Sequence, residues 1–512
     1  MHSTALLILT VVALLVPDLS AQQLRKPTVR PNILWLVADD MNWDSPGCFG
    51  GVAEGVTPHI DRLAEEGIQF WHGYANVAIC TPSRSVMLTG LYPQNNGAEG
   101  FQRIRPGTPT LPSLLNAAGF LCGTIGKPLN HHKLFRWSAT YTWQGKGAEN
   151  LWGRDPAVYR RFARDFFATA KSARQPFFLM ASSHDPHDPF FIPGSKGRSP
   201  DNPHYERAES SQNYDPSQVR VSAGLPDIPE IRKHLARYAG SVRRTDDMVG
   251  AVLQELDRAG LTENTIVLFL SDHGMAFPGV KANCYPDSTR SPWIIRWPGV
   301  VSAGQDDRNH MLSCVDLQAT FLEAVKLPPA ARTDGRSFLP ILQGGQQEDR
   351  DHVFTQFFHI HGKDAYPMRG ILSRDWAYLF NPWANGERSF PRQWNGFDAL
   401  RRMARTNPGM KLRTHHLSFR TVEEFYNLRE DPHCLSNLIN SESAPPGTSI
   451  AVNQSRERLR SLMFRISDPA LHAFDKRQDP HALQSFMESF TTRATKEIEQ
   501  LQSYEQIKGY RF

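Results

Sequence analysis

The chain has 512 residues, 40% of them apolar and 21% charged. That is an ordinary globular mixture, which excludes a disordered, collagen-like or disulfide-scaffold protein and leaves room for two or three domains. Lys and Arg (57) against Asp and Glu (52) leave a net charge of +5, too mild to demand nucleic acid but suited to an anionic substrate.

In chain order, the apolar run Ala5 to Val16, followed by Ser20, Ala21 and a polar stretch, reads as a secretory signal over residues 1–21. It is shorter than the roughly 20 apolar residues of a bilayer span, so the chain is expected to be exported without stable membrane insertion. The destination would be periplasmic, extracellular or lysosomal according to the source. NILWLVA (32–38) reads as a buried strand. TPHIDRLAEEG follows as a helix with Thr57 as its cap, Pro58 at the first helical position and Gly67 as its stop. A helix near 111–118 leads to the strand LCGTI (121–125). A long helix from Asp155-Pro156 leads to FFLMAS (177–182), and another over about 229–259 leads to TIVLFLS (265–271). Alternating strands and helices predict an α/β domain over 28–347, a large and mostly parallel sheet with helices on both faces. Residues 196–228 form a long polar, Pro-rich connection, of the kind more often functional than idle. Beyond the polar stretch near 345–350, HVFTQFF, RGILS, WAYLF and EFYNL read as short antiparallel strands, with helices near 451–467 and 480–502. They predict a smaller α+β domain over 348–512 that contributes to the pocket.

The cysteines are Cys48, Cys80, Cys122, Cys284, Cys314 and Cys434. An even count in an exported chain invites disulfides, while their wide spacing gives no metal motif of the CxxC kind.

Ligands of open parallel sheets bind at the carboxyl ends of the strands. Here those ends read Asp39-Asp40, Gly126-Lys127, His184-Asp185-Pro186-His187 and Asp272-His273-Gly274. Any one could be a satisfied loop group; four together predict a site. Three carboxylates, Asp39, Asp40 and Asp272, call for a hard divalent ion, Ca²⁺ or Mg²⁺, with His273 as a softer neighbour. The most specific element is Cys80-Thr81-Pro82-Ser83-Arg84, continuing to Leu88-Thr89-Gly90. Thr81 is expected to cap a helix starting at Pro82, leaving Cys80 just before a helix N-terminus, where an anion is favoured. The bland alternative is an ordinary thiol before an ordinary helix.

This C-x-P-S-R motif and the LTG after it resemble the sulfatase family, and the resemblance covers about residues 30–345 clearly and the rest more loosely. It implies an alkaline-phosphatase-like fold and a bound Ca²⁺ held by Asp39, Asp40, Asp272, His273 and the modified Cys80. In that family a separate formylglycine-generating enzyme oxidises the cysteine to formylglycine (3-oxoalanine). Some members carry Asn and others His at the position of His273. Arg84 and Lys127 would stabilise the formylglycine and the sulfate, Lys281 matches the basic residue after the DHG motif, and His187 matches the substrate-facing histidine, with His184 structural. The family's histidine shortly after the Lys of GK is missing, since Leu129 and Asn130 stand there; His131 is the candidate taken, beside His132.

Within the family, PFFLMASSHDPH, YDPSQV, SDHGMAFPGVKANCY, AYPMRGI and FYNLREDPHCLSNL resemble the heparan N-sulfatases. That implies a sulfated mono- or oligosaccharide substrate with Tyr366 and Arg369 reaching the sugar, and it is compatible with a homodimer. The loop GAEGFQRIRPG (97–107) departs from the histidine-rich loop of that subgroup, which keeps O-sulfated polysaccharides open. A basic stretch (Arg388, Arg392, Arg401, Arg402, Arg405, Lys411, Arg413) reads first as a solvated face and second as a steering surface for a polyanion. Two rival readings remain: a phosphoester hydrolase on the same scaffold, working without formylglycine, and an exported glycan-binding protein with a relic site.

Overall fold

The computed structural model describes residues 30–127, 132–141, 153–193, 209–360, 365–391 and 394–508. Its first sheet holds β1 (Asn32–Asp39), β2 (Ile68–Tyr74), β3 (Leu121–Gly126), β4 (Ala139–Tyr141), β5 (Phe177–Pro186), β6 (Thr265–Ser271), β7 (Arg290–Arg296), β8 (Gln305–Asp307) and β9 (Leu312–Ser313). The order is β4-β3-β5-β1-β6-β7-β2-β8, with β9 also on β2. From β4 to β6 all neighbours are parallel; β7 is antiparallel to both β6 and β2. The mostly parallel α/β sheet expected from the sequence is therefore present, with one reversed strand.

β1 shows why the sheet is covered twice. Its eight residues are all buried, and alternate side chains enter different cores. Ile33, Trp35 and Val37 pack with Val86, Leu111, Leu115 and Phe321, beneath the helices Cys80–Thr89, Leu111–Ala117 and Leu317–Ala324. Leu34, Leu36 and Ala38 pack with Ile60, Phe166, Leu235 and Val249, beneath the helices Pro58–Glu65, Pro156–Ala173 and Pro229–Arg258.

A second, antiparallel sheet has the order β10 (His352–Phe357), β11 (Met368–Ser373), β12 (Trp376–Phe380), β13 (Glu423–Asn427). The helices Thr448–Arg465 and Pro480–Lys508 follow it. The two sheets are not separately cored: Phe354, Ile371, Tyr378, Leu459 and Met463 share one apolar cluster with Trp35 and Val86. Asn76 Nδ2 donates to the Phe354 carbonyl at 2.9 Å, and Gln356 N donates back to the Asn76 carbonyl at 2.7 Å.

Two local expectations are corrected. The helix expected from Pro82 begins at Cys80, with Ile79 as its cap, because Ser83 N already donates to the Ile79 carbonyl at 3.0 Å. Pro82 sits in that first turn, where a missing N–H costs nothing. Second, all six cysteines are free, and five of them are buried. Among the described residues, no helix is long and apolar enough to cross a membrane.

Candidate active site at the carboxyl ends of the sheet

Strand register brings the candidate residues together. Ala38 pairs with Ser271, Val37 with Ser182, and Gly126 with Ser182, so the residues after β1, β6, β5 and β3 leave one rim side by side. Gly126 has a φ of 88°, and an added Cβ would stand 2.0 Å from the Ser182 carbonyl oxygen. Only glycine lets the chain turn there and deliver Lys127. Asp40 also lies in the left-handed region, at φ 65°, which turns its carboxylate back toward Asp272; its own N–H donates to Asp272 Oδ1 at 3.1 Å.

Cys80 is buried at the centre. Its Sγ lies 3.4 Å from Lys127 Nζ, 3.5 Å from His273 Nε2 and 3.9 Å from Asp40 Oδ1. Lys127 also donates to Asp39, and Lys281 Nζ donates to Asp40 Oδ2 at 2.6 Å. Arg84 spans the floor, with Nε at 2.9 Å from Asp272 Oδ2, Nη1 at 3.0 Å from Ser182 Oγ and Nη2 at 3.6 Å from Asp39 Oδ1. The His187 side chain keeps about a third of its surface exposed, and its Nε2 stands 3.9 Å from Asp40 Oδ2 (side-chain exposure 36%).

Three carboxylates thus meet three basic side chains. The rim is charge-balanced as it stands, so the sequence argument that the acids alone demand a cation is too strong. Burial would raise the Asp39 carboxyl, yet Lys127, His187, Arg84 and Lys281 together hold it well below the usual range. For Asp272 burial outweighs Arg84 and the pKa is raised. Burial, reinforced by the Asp39 charge, pushes the Cys80 thiol up, so as a thiol it is protonated and a poor nucleophile. Burial, reinforced by Lys281, brings His187 down to about 4.

The donor set nonetheless fits a hard cation. Carboxylate oxygens of Asp39, Asp40 and Asp272 lie within 4.8 Å of one another, and the buried Asp39 Oδ1 accepts no hydrogen bond. His273 Nδ1 lies 2.9 Å from the Gly274 carbonyl. With that nitrogen donating, Nε2 turns its lone pair toward Asp40 Oδ1 at 3.3 Å, an opposition of lone pairs that a cation resolves.

The rest of the expected set is more dispersed. His131 lies outside the described residues, and His132 opens a short helix, His132–Phe135. His184 packs against Gly153, and Asp185 is held by Arg154 and Arg244, bracing the His187 loop from behind. Arg369 is turned into the interior: Nε and Nη2 grip Asp468 at 2.6 and 3.0 Å, and Nη1 donates to the carbonyls of Phe357 and Met368. Tyr366 packs on Trp383 and Phe390 and donates to the Ser389 carbonyl at 2.8 Å. Both are spent on protein contacts, which corrects the expectation that they reach a sugar. Residues that sequence reasoning missed also touch the site: Ser182 on Arg84, Ser83 Oγ on the Asp272 carbonyl at 2.7 Å, and Trp394 with Asn395 from the C-terminal half. Ser83 lies inside the C-x-P-S-R motif; no local motif marks Ser182, Trp394 or Asn395.

A family model described as Sulfatase matches residues 31–327, more than half of the chain, and one described as N-sulphoglucosamine sulphohydrolase, C-terminal, matches 280–381. Human N-sulphoglucosamine sulphohydrolase is 29% identical over 485 residues, covering 87% of this chain and 92% of that protein. An ulvan-active sulfatase of Formosa agariphila is 26% identical over 497 residues, covering 88% and 77%. A solved 2-O GAG sulfatase superposes with a TM-score of 0.64 at 18% identity, over 89% of this chain and 96% of that one, and shows the shared alkaline-phosphatase-like fold.

Proposed function

The chain belongs to the sulfatase family and is a sulfuric ester or sulfamate hydrolase; we propose that it is exported and releases the N-sulfate of glucosamine from heparin- or heparan-type glycans. The observation that carries the reading is the seat of Cys80: a buried, protonated thiol between Lys127, His273 and Asp40 is chemically idle unless converted. Conversion to formylglycine would supply a hydrated aldehyde: one hydroxyl attacks sulfur as the leaving group departs, the sulfated diol then loses the proton of the other hydroxyl and collapses to the aldehyde with release of sulfate, and water restores the hydrate. Asp39, Asp40, Asp272 and His273 would hold Ca²⁺, which supplies Lewis acidity to the sulfate and to that hydroxyl.

The chain's own residues do the rest. Lys127, Lys281 and Arg84 would neutralise the SO₃ group, preorganised positive charge that favours its transfer. His187 protonates the leaving nitrogen or oxygen. Its low pKa in the unliganded rim rises once an anion lies beside it, so substrate binding charges the acid. His131 is proposed to take the proton of the second hydroxyl. Residues 28–347 would carry this chemistry, with 348–512 closing the pocket.

Names of relatives support the substrate class and divide on its detail. The human relative is named for N-sulphoglucosamine, whereas the Formosa relative is named for ulvan. O-sulfate release from another polysaccharide is therefore the second reading. A panel of N-sulfoglucosamine, its 6-O-sulfated counterpart and O-sulfated sugars without N-sulfate decides between them. Sulfate released only from the N-sulfated sugars supports the first reading, and release only from the O-sulfated ones overturns it.

A further inference from the structure

Lys281 rides on a long irregular connection between β6 and the short helix Pro286–Thr289, with Ala282 next to it in the left-handed region at φ 65°. Such a loop does not fix a flexible four-carbon side chain. Asp40 takes its ammonium and Asn283, on the same loop, donates to its carbonyl at 3.1 Å; a further set of contacts comes from the C-terminal half. Trp394 Nε1 donates to the Lys281 carbonyl at 3.0 Å, while the same ring lies 5.0 Å from Lys281 Nζ. One indole therefore holds both the backbone and the charged head of Lys281, whose ammonium donates to Asp40.

The neighbouring residue extends the clasp. Asn395 Nδ2 lies 3.1 Å from the Ala276 carbonyl and 3.3 Å from Asp188 Oδ1. Ala276 precedes Lys281 on its loop, and the Asp188 carbonyl is the partner of His187 Nδ1. The dipeptide thus ties together the two loops that carry Lys281 and His187. Packing alone needs only the buried face of the indole; it does not need the ring and its N–H aimed at two parts of one lysine.

We infer that Trp394 is a positioning residue that aims the Lys281 ammonium into the rim, with Asn395 fixing the distance between the Lys281 and His187 loops. The inference rests on the sulfohydrolase reading for what Lys281 meets there, an SO₃ group; the clasp itself stands on the contacts.

A double-mutant cycle tests it: wild type, Trp394→Ala, Lys281→Ala and the double variant, each loaded with Ca²⁺. Two quantities are read, kcat/KM for sulfate release from N-sulfoglucosamine and the calorimetric affinity for inorganic sulfate. Trp394→Ala should lower kcat/KM about 10- to 100-fold when Lys281 is present and less than about 2-fold in the Lys281→Ala background. Trp394→Phe, which keeps the ring but loses the N–H, should fall between; it replaces the alanine variant if that one does not fold. Equal costs in both backgrounds, or no cost, overturn the role. If the wild type releases no sulfate, the functional reading falls, and the sulfate-affinity cycle still decides: non-additivity upholds the clasp and additivity overturns it.

Discussion

Buried charge occurs in two regions of this molecule and is used differently. Around the antiparallel sheet, several buried ions are filled by protein. Arg369 and Asp468 satisfy each other, Glu424 accepts from Tyr285, Tyr426 and Asn381, and Glu423 accepts from Tyr378, Arg456, Arg477 and Gln478. At the rim of the first sheet the charges balance but the contacts are not closed. Asp39 Oδ1 and Arg84 Nη2 make no hydrogen bond, and Cys80 lies against three polar groups without a short bond to any. Burial costs an ion its hydration. Where that cost is met entirely within the protein the ion is structural, and where capacity is left over a ligand is expected to take it.

The sharpest way to break the contrast is at Cys80. Cys80→Ala should lower sulfate release by at least about 10³-fold with little change in melting temperature; retained turnover would erase the special status of the rim. Next in size is the opposite region. Arg369→Met leaves Asp468 buried and unpaired and should cost about 3–5 kcal/mol of stability, read by denaturant unfolding, with kcat per folded molecule unchanged. A fall in kcat at full folding would return Arg369 to the pocket.

A smaller effect is expected at His187. His187→Gln should lower kcat about 100-fold, and the loss should shrink on substrates with better leaving groups; a uniform loss would point to positioning instead. The smallest belongs to the exposed basic face. Arg401→Ala with Arg405→Ala should change turnover of a sulfated monosaccharide less than about 2-fold, since exposed charges are screened. A loss that appears only on long sulfated chains would turn that face into a binding track.

Much of the rim is legible in the chain itself. A strand inside a parallel sheet is apolar on both faces, so NILWLVA, FFLMAS and TIVLFLS stand out, and the few residues after each run lead to the ligand-bearing edge. Cys80 and Arg84 are legible because their spacing is a motif. What is not legible depends on distant packing. β2 and β7 carry Gln69, His72, Arg290 and Ser291 and do not read as continuous runs. The fates of Tyr366 and Arg369 were set by Ser389 and Asp468, which nothing near 366–369 announces. Trp394 acquires its meaning only by landing on Lys281, 113 positions earlier.

On the proposed mechanism position 80 works as an aldehyde hydrate and not as a thiol, and peptide mass spectrometry of sulfate-releasing protein across Ile79–Arg84 distinguishes the two. Residue 80 should carry a carbonyl in place of its sulfhydryl, in a fraction that rises and falls with specific activity. Full activity in material whose position 80 is entirely unmodified cysteine would contradict it.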